Sequence, residues 1–249
     1  MIKKRIIPII MFIFLIFLMV YIPYIPINLF NIDISSLSKN MIILYNLACD
    51  LVFMLIIFLI YKKDIIHDFK NYFKNFQKIF KLSFKYYFIG LVIMVTSNIL
   101  ISFLFSSANA NNEEIIREYI NLYPLYMILS TTLYTPFTEE IIFRKAIRNC
   151  FLPYKDNKLT EYLYIITSSL IFASIHVIGL GENIIDYIYI IPYLSLSIAF
   201  AFSYYKSNNI FSTITIHCIH NTIALILYFM VGVVKWKKSL NGSFQFLSF

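Results

Sequence analysis

Ten consecutive residues, Thr135-Pro136-Phe137-Thr138-Glu139-Glu140-Ile141-Ile142-Phe143-Arg144, place two carboxylates and a guanidinium in an otherwise apolar stretch. Ionisable groups are expensive in an apolar span and are functional candidates by default. Glu140 and Arg144 are four residues apart on one helix face, so they can pair. Glu139 is turned about 100° round the helix and cannot easily share that arginine. Its partner must come from another helix, from water or from a metal. The bland alternative is a glutamate at the membrane interface, satisfied by lipid headgroups and Lys145.

Two more polar groups interrupt apolar runs. His176 closes Phe172-Ala173-Ser174-Ile175-His176, and His217-Cys218-Ile219-His220-Asn221 puts His217 and Asn221 on one helix face with His220 near it. Taken as chemistry, a carboxylate shielded from water is a strengthened base, and an imidazole beside it can shuttle the proton. His and Asn donors can stabilise a tetrahedral oxyanion where water is excluded. Two His and one Glu also make a zinc set with an open position, although the H-E-x-x-H helix signature is absent. Taken as structure, the same side chains are hydrogen-bonding glue between helices. Asn46, Asp50, Ser97 and Asn98, isolated in their runs, fit glue or a headgroup-level position.

The elements that must position these groups follow from composition. Of 249 residues, 60% are hydrophobic and 14% charged, against roughly 45–50% and about 25% in soluble domains. Lipid is therefore the solvent, and the fold class is all-α, a polytopic helical membrane protein of about seven to eight spans with the site inside the bundle. The expected spans are residues 6–30, kinked or ended by Pro23 and Pro26, then 41–61, 86–105, 123–150, 162–180, 188–205 and 210–234. A signal peptide is the alternative for the first run, but the run is long and lacks a small-x-small cleavage site.

The net charge of +8 fits cytoplasmic loops beside anionic lipid, and nucleic-acid binding is set aside. Lysines 62, 63, 70, 74, 78, 81 and 85 read as a basic cytoplasmic loop with an interfacial helix over residues 69–84. The N-terminus is expected in the cytoplasm, and residues 106–118, Glu182 and Asp186 outside. Seven spans would leave Lys235, Lys237 and Lys238 outside, against the charge rule, unless a span is miscounted or residues 239–249 return to the interface. Cys49, Cys150 and Cys218 have no paired spacing, so neither a disulfide framework nor a cysteine zinc motif is expected.

If residues 123–150 and 162–180 form an antiparallel hairpin, Glu139 lies 11 residues before Cys150 and His176 lies 14 after Tyr162. That puts the two at one depth, within roughly 5 Å along the axis.

These motifs, Glu139-Glu140-x-x-Phe143-Arg144, Phe172-x-x-x-His176 and His217-x-x-x-Asn221, resemble the CPBP family. Its members are CAAX prenyl protease-like and bacteriocin-processing or self-immunity proteins, also called Abi. The resemblance covers about residues 120–232 and divides the chain into N-terminal helices with a basic loop (1–119), a CPBP/Abi-like protease core (120–234) and a short tail (235–249). It implies an intramembrane endopeptidase in which Glu139 and His176 activate water. His217 and Asn221 would stabilise the oxyanion or help hold the site, and Arg144 would pair with Glu140, with Phe143 and Phe172 in support. Family members have also been described as metalloproteases, so Glu139, His176 and His217 are the candidate ligands if zinc is used. Glutamate-dependent hydrolysis without an obligatory metal is the preferred reading.

A peptide precursor or membrane protein is the expected substrate, and the lipid bilayer the other partner. Richness in Ile, Asn, Lys, Phe and Tyr fits an AT-rich genome, hence a prokaryotic cell membrane. Oligomeric state has no signature. A non-catalytic immunity or peptide-binding protein would keep the fold yet tolerate loss of Glu139. A small transporter would show paired halves or broken helices, and no paired halves are found.

Overall fold

A computed structural model describes the backbone of residues 2–105, 110–154, 157–179 and 184–245, and side chains within 5–105, 110–154, 157–179 and 186–231. Among the described residues every regular element is helical. Four helices are long and apolar enough to cross a membrane, or five if one bent pair is a single span. Their outward faces carry large apolar side chains such as Phe103 and Leu51, more than three-fifths exposed, as a lipid-facing surface requires. The protein is a multi-pass membrane protein.

The bent pair is α1 (Ile2–Tyr21) and α2 (Tyr24–Phe30), which meet at 61° around Pro23. Proline removes a backbone donor, which accounts for the break. Asp33 and Ser38 then manage the turn into α3 (Lys39–Lys74). Asp33 accepts from Ser35, and Ser38 caps α3 at the Met41 amide.

α3 corrects the expected loop. It runs on from the apolar stretch through the lysines, with a local kink at Tyr61. The chain breaks at Asn75, inside the stretch expected as one interfacial helix, and α4 (Phe76–Phe105) begins at once. Asn75 leaves helical geometry, and its side-chain amide bonds the carbonyl and the side chain of Asn71. Asn side chains compete with helix bonds in this way. The basic segment is thus a helical hairpin.

After α5 (Asn111–Leu122) comes the segment that carries the glutamates. It is one continuous right-handed helical path broken into α6 (Pro124–Leu129), a π turn (Ser130–Tyr134), α7 (Thr135–Glu140), a second π turn (Ile141–Ala146) and α8 (Ile147–Phe151). Asn157 caps α9 (Lys158–Ile175) by accepting from the Thr160 amide. A 3-10 turn (Ile184–Tyr189) leads into α10 (Ile190–Ser207), and α11 (Phe211–Gln245) follows.

α10 is the central helix, lying against α4, α9 and α11. Its approach to α4 is set by Gly90, where a Cβ would come within 2.6 Å of the Ala199 Cβ. Such small-residue crossings are how helices associate without a hydrophobic drive between them. The main core gathers Phe53 and Ile57 of α3, Ile141, Ile142 and Phe143 of the second π turn, Phe172 of α9, and Ile210 just before α11. The side chains of Lys235, Lys237 and Lys238 and the end of the tail lie outside the described residues, as do Lys155 and Glu182, so the charge question at the C-terminus belongs to them.

Candidate active site

The two π turns flank the glutamates. At the first, the Thr135 amide bonds the Ser130 carbonyl. The Thr131 carbonyl therefore loses its usual donor, and the next residue along is Pro136, which has none. Asn221 of α11 fills the gap, its Nδ2 donating to the Thr131 carbonyl at 2.8 Å. At the second turn the Ser168 hydroxyl of α9 donates to the Phe143 carbonyl at 2.7 Å. Both turns are thus tied to neighbouring helices at backbone groups, which fixes the rotation of α7 between them. π turns within helices recur at functional sites.

Glu140 is fully buried and uses both oxygens. One accepts from Arg144 Nε at 2.9 Å, the other from His217 Nδ1 at 2.9 Å. Arg144, also fully buried, donates further to the hydroxyls of Ser168 (2.9 Å) and Ser197 (3.0 Å). Its guanidinium lies 4.6 Å from the Phe172 ring centroid and 5.9 Å from that of Phe200. The Nη2 atom is buried and has no hydrogen-bond partner among the described residues. A buried ion pair holds only when hydrogen bonds and ring faces replace the lost water.

Glu139 differs in every respect. Its side chain keeps 13% of its exposure. It forms no hydrogen bond, and its buried Oε2 has no partner among the described residues. The nearest cationic atom is His217 Nε2 at 3.9 Å, too long for a hydrogen bond. Because Glu140 takes the Nδ1 proton, a neutral His217 presents its Nε2 lone pair toward Glu139.

His176 closes α9. Its Nδ1 donates to the Phe172 carbonyl at 2.9 Å, which leaves Nε2 as the free lone pair of the neutral ring. The ring lies 4.5 Å from Phe172 and 4.9 Å from Tyr193. Phe172 also touches Phe143 and His217 edge-on. Among the described residues no hydrogen bond or ion pair joins His176 to Glu139. Asn221 is committed to Thr131, and His220 faces Tyr87 of α4 at 3.3 Å.

Residues 121–223 match the family of type II CAAX prenyl endopeptidase Rce1-like proteins. That stretch holds all the residues above from Glu139 to Asn221, and it falls on the region where the motifs resemble the CPBP family. It is a family of proteases, which supports an endopeptidase here. Searches of curated proteins and of solved structures gave no match.

Among the described residues no three His, Cys, Asp or Glu side chains are grouped to hold a metal ion. Of the candidate ligands Glu139, His176 and His217, the first and last lie 3.9 Å apart, and the three as they stand do not form a metal-holding group.

Sequence reasoning missed Ser168, Ser197 and Tyr193. Hydroxyls within the apolar runs of α9 and α10 were the available signal. It is a weak one, because serine in a span usually bonds its own helix.

Proposed function

We propose that the protein is an intramembrane endopeptidase that hydrolyses a peptide bond with a water molecule activated by Glu139. The observation that carries this reading is the unpartnered Glu139 oxygen, set 3.9 Å from a histidine nitrogen whose tautomer is fixed from behind by Glu140. Glu139 takes a proton as the water oxygen attacks the substrate carbonyl carbon. The free nitrogen of His176 assists the proton transfer. When the tetrahedral intermediate collapses and the C–N bond breaks, the proton passes to the leaving amine. Protonated at Nε2 as well as at Nδ1, His217 donates to the developing oxyanion, and Asn221 holds the first π turn. Glu140 and Arg144 fix α7, with Phe143 and Phe172 packed behind them. The mechanism is glutamic in type.

The substrate is a peptide precursor or a membrane-associated protein. α9 and the segment 124–151 also cross the membrane in this reading, giving seven spans with the site within the helix bundle. The N-terminus is cytoplasmic, and the host membrane is a prokaryotic cell membrane.

The test is comparative peptidomics of membranes from cells carrying the wild type or Glu139→Ala, with cleavage of the differing peptides by purified protein. Peptides that change, and are cut only by the wild type, support the enzyme. No differing peptide and no cleavage leave the non-catalytic binding or immunity protein. Metal analysis of purified wild type, His176→Ala and His217→Ala protein tests the glutamic type: stoichiometric zinc lost in both variants would overturn it.

A further inference from the structure

The basic hairpin of α3 and α4 has an unusual charge balance. α3 has 36 residues and α4 has 30, about 54 and 45 Å of helix, while a bilayer core of about 30 Å needs roughly 20 residues. Both helices therefore overshoot a span, and the overshoot carries lysines 62, 63, 70, 74, 78, 81 and 85, every one exposed. Two carboxylates, Asp64 and Asp68, lie among them.

The fold turns both carboxylates away from the lysines. Asp64 pairs with Lys145 of the second π turn at 3.1 Å. Asp68 is buried, accepting from the Ile210 amide at 3.1 Å and lying 3.1 Å from His67 Nδ1, while its carbonyl accepts from Asn209. None of the seven lysines makes an ion pair among the described residues. Phe73, Phe76 and Phe84 are exposed between them.

The Asp64–Lys145 contact and the Asp68 contacts with Asn209 and Ile210 place this hairpin at the end of the bundle where α10 gives way to α11. Beside them Arg148 donates to Asn208 and Lys206 pairs with Glu161.

We propose that the hairpin is a docking surface for anionic phospholipid headgroups, with the lysines on the phosphates and the phenylalanines at the acyl boundary. A surface of this kind contributes through each basic residue near the headgroups, and aromatic side chains insert at that depth. The partner is lipid because the same two helices continue into the membrane, so the patch is held at headgroup level. Consuming both local carboxylates leaves the positive field uncompensated.

The test uses the full-length protein purified in neutral detergent and titrated with phosphatidylglycerol or phosphatidylcholine. Retained lipid is counted by native mass spectrometry, and the unfolding temperature is followed. The wild type should retain phosphatidylglycerol at least tenfold better, and the preference should collapse in 1 M salt, where the screening length is about 3 Å. A Lys70→Gln, Lys74→Gln, Lys78→Gln, Lys81→Gln variant should lose most of the preference, while the four Lys→Arg replacements keep it. Inorganic phosphate and poly-glutamate serve as the other anion sources. Equal retention of the two lipids, an undiminished preference in the Gln variant, or protection by phosphate or poly-glutamate without phosphatidylglycerol would overturn the proposal.

Discussion

Glu139 and Glu140 are neighbours in the chain and opposites in the fold. Glu140 has both oxygens engaged by cationic or polar donors and sits in a closed cage of Arg144, His217, Ser168 and Ser197. Glu139, on the same helix, is partly exposed, with a buried oxygen that has no partner among the described residues. The difference separates holding from reacting. A carboxylate whose lone pairs are all committed stabilises an arrangement and is a poor base, whereas an uncommitted one costs stability and is available for proton transfer.

The largest expected effect tests that division directly. Glu139→Gln should lower peptide cleavage by about 10²–10⁴-fold while the unfolding midpoint stays where it is or rises. A fall in stability with cleavage retained would reverse the roles of the two glutamates.

Arg144→Leu should cost about 3–5 kcal/mol, because it strands a buried carboxylate. Denaturant unfolding in detergent measures it, and a loss under 1 kcal/mol would show that the cage is not what holds α7.

Asn221→Ala should cost about 1–3 kcal/mol by orphaning the Thr131 carbonyl. Its cleavage should fall less than that of Glu139→Gln. If cleavage falls as far as with Glu139→Gln at unchanged stability, Asn221 belongs with the reacting groups.

The smallest effect lies outside the bundle. The Ser35 hydroxyl and amide hold the Asp33 carboxyl below its ordinary range. A lowered folded-state value stabilises above the unfolded carboxylate pKa, and that contribution disappears as pH falls through the folded one. Wild type and Asp33→Ala should therefore differ slightly in melting temperature at pH 7 and converge as the pH falls below the folded-state pKa, with a constant gap arguing for packing instead.

The α-helical class and membrane solvent were legible in composition alone, as were the polar residues worth following. Local periodicity also identified Glu140 with Arg144, since four residues fix one helix face. It misjudged the basic stretch. Lysines marked it as a loop, while hydrogen bonds of the Asn71–Asn75 pair sit at the break between two long helices.

The π turns were not legible, because they follow from which carbonyls lose their donors near Pro136 and from which distant side chains replace them. The hairpin reading set Glu139 and His176 at one depth. It missed that the His176 ring packs against Phe172 and Tyr193.

By itself the sequence determined a lipid-solvated helical chain, the inventory of polar side chains inside it, and the Glu140–Arg144 ion pair that helix geometry dictates. Only the tertiary structure decided which glutamate is caged. The contacts that do so join residues 24, 53 and 77 positions apart. Helical periodicity carries no information over such separations, because the angle at which one helix meets another depends on packing along their whole length.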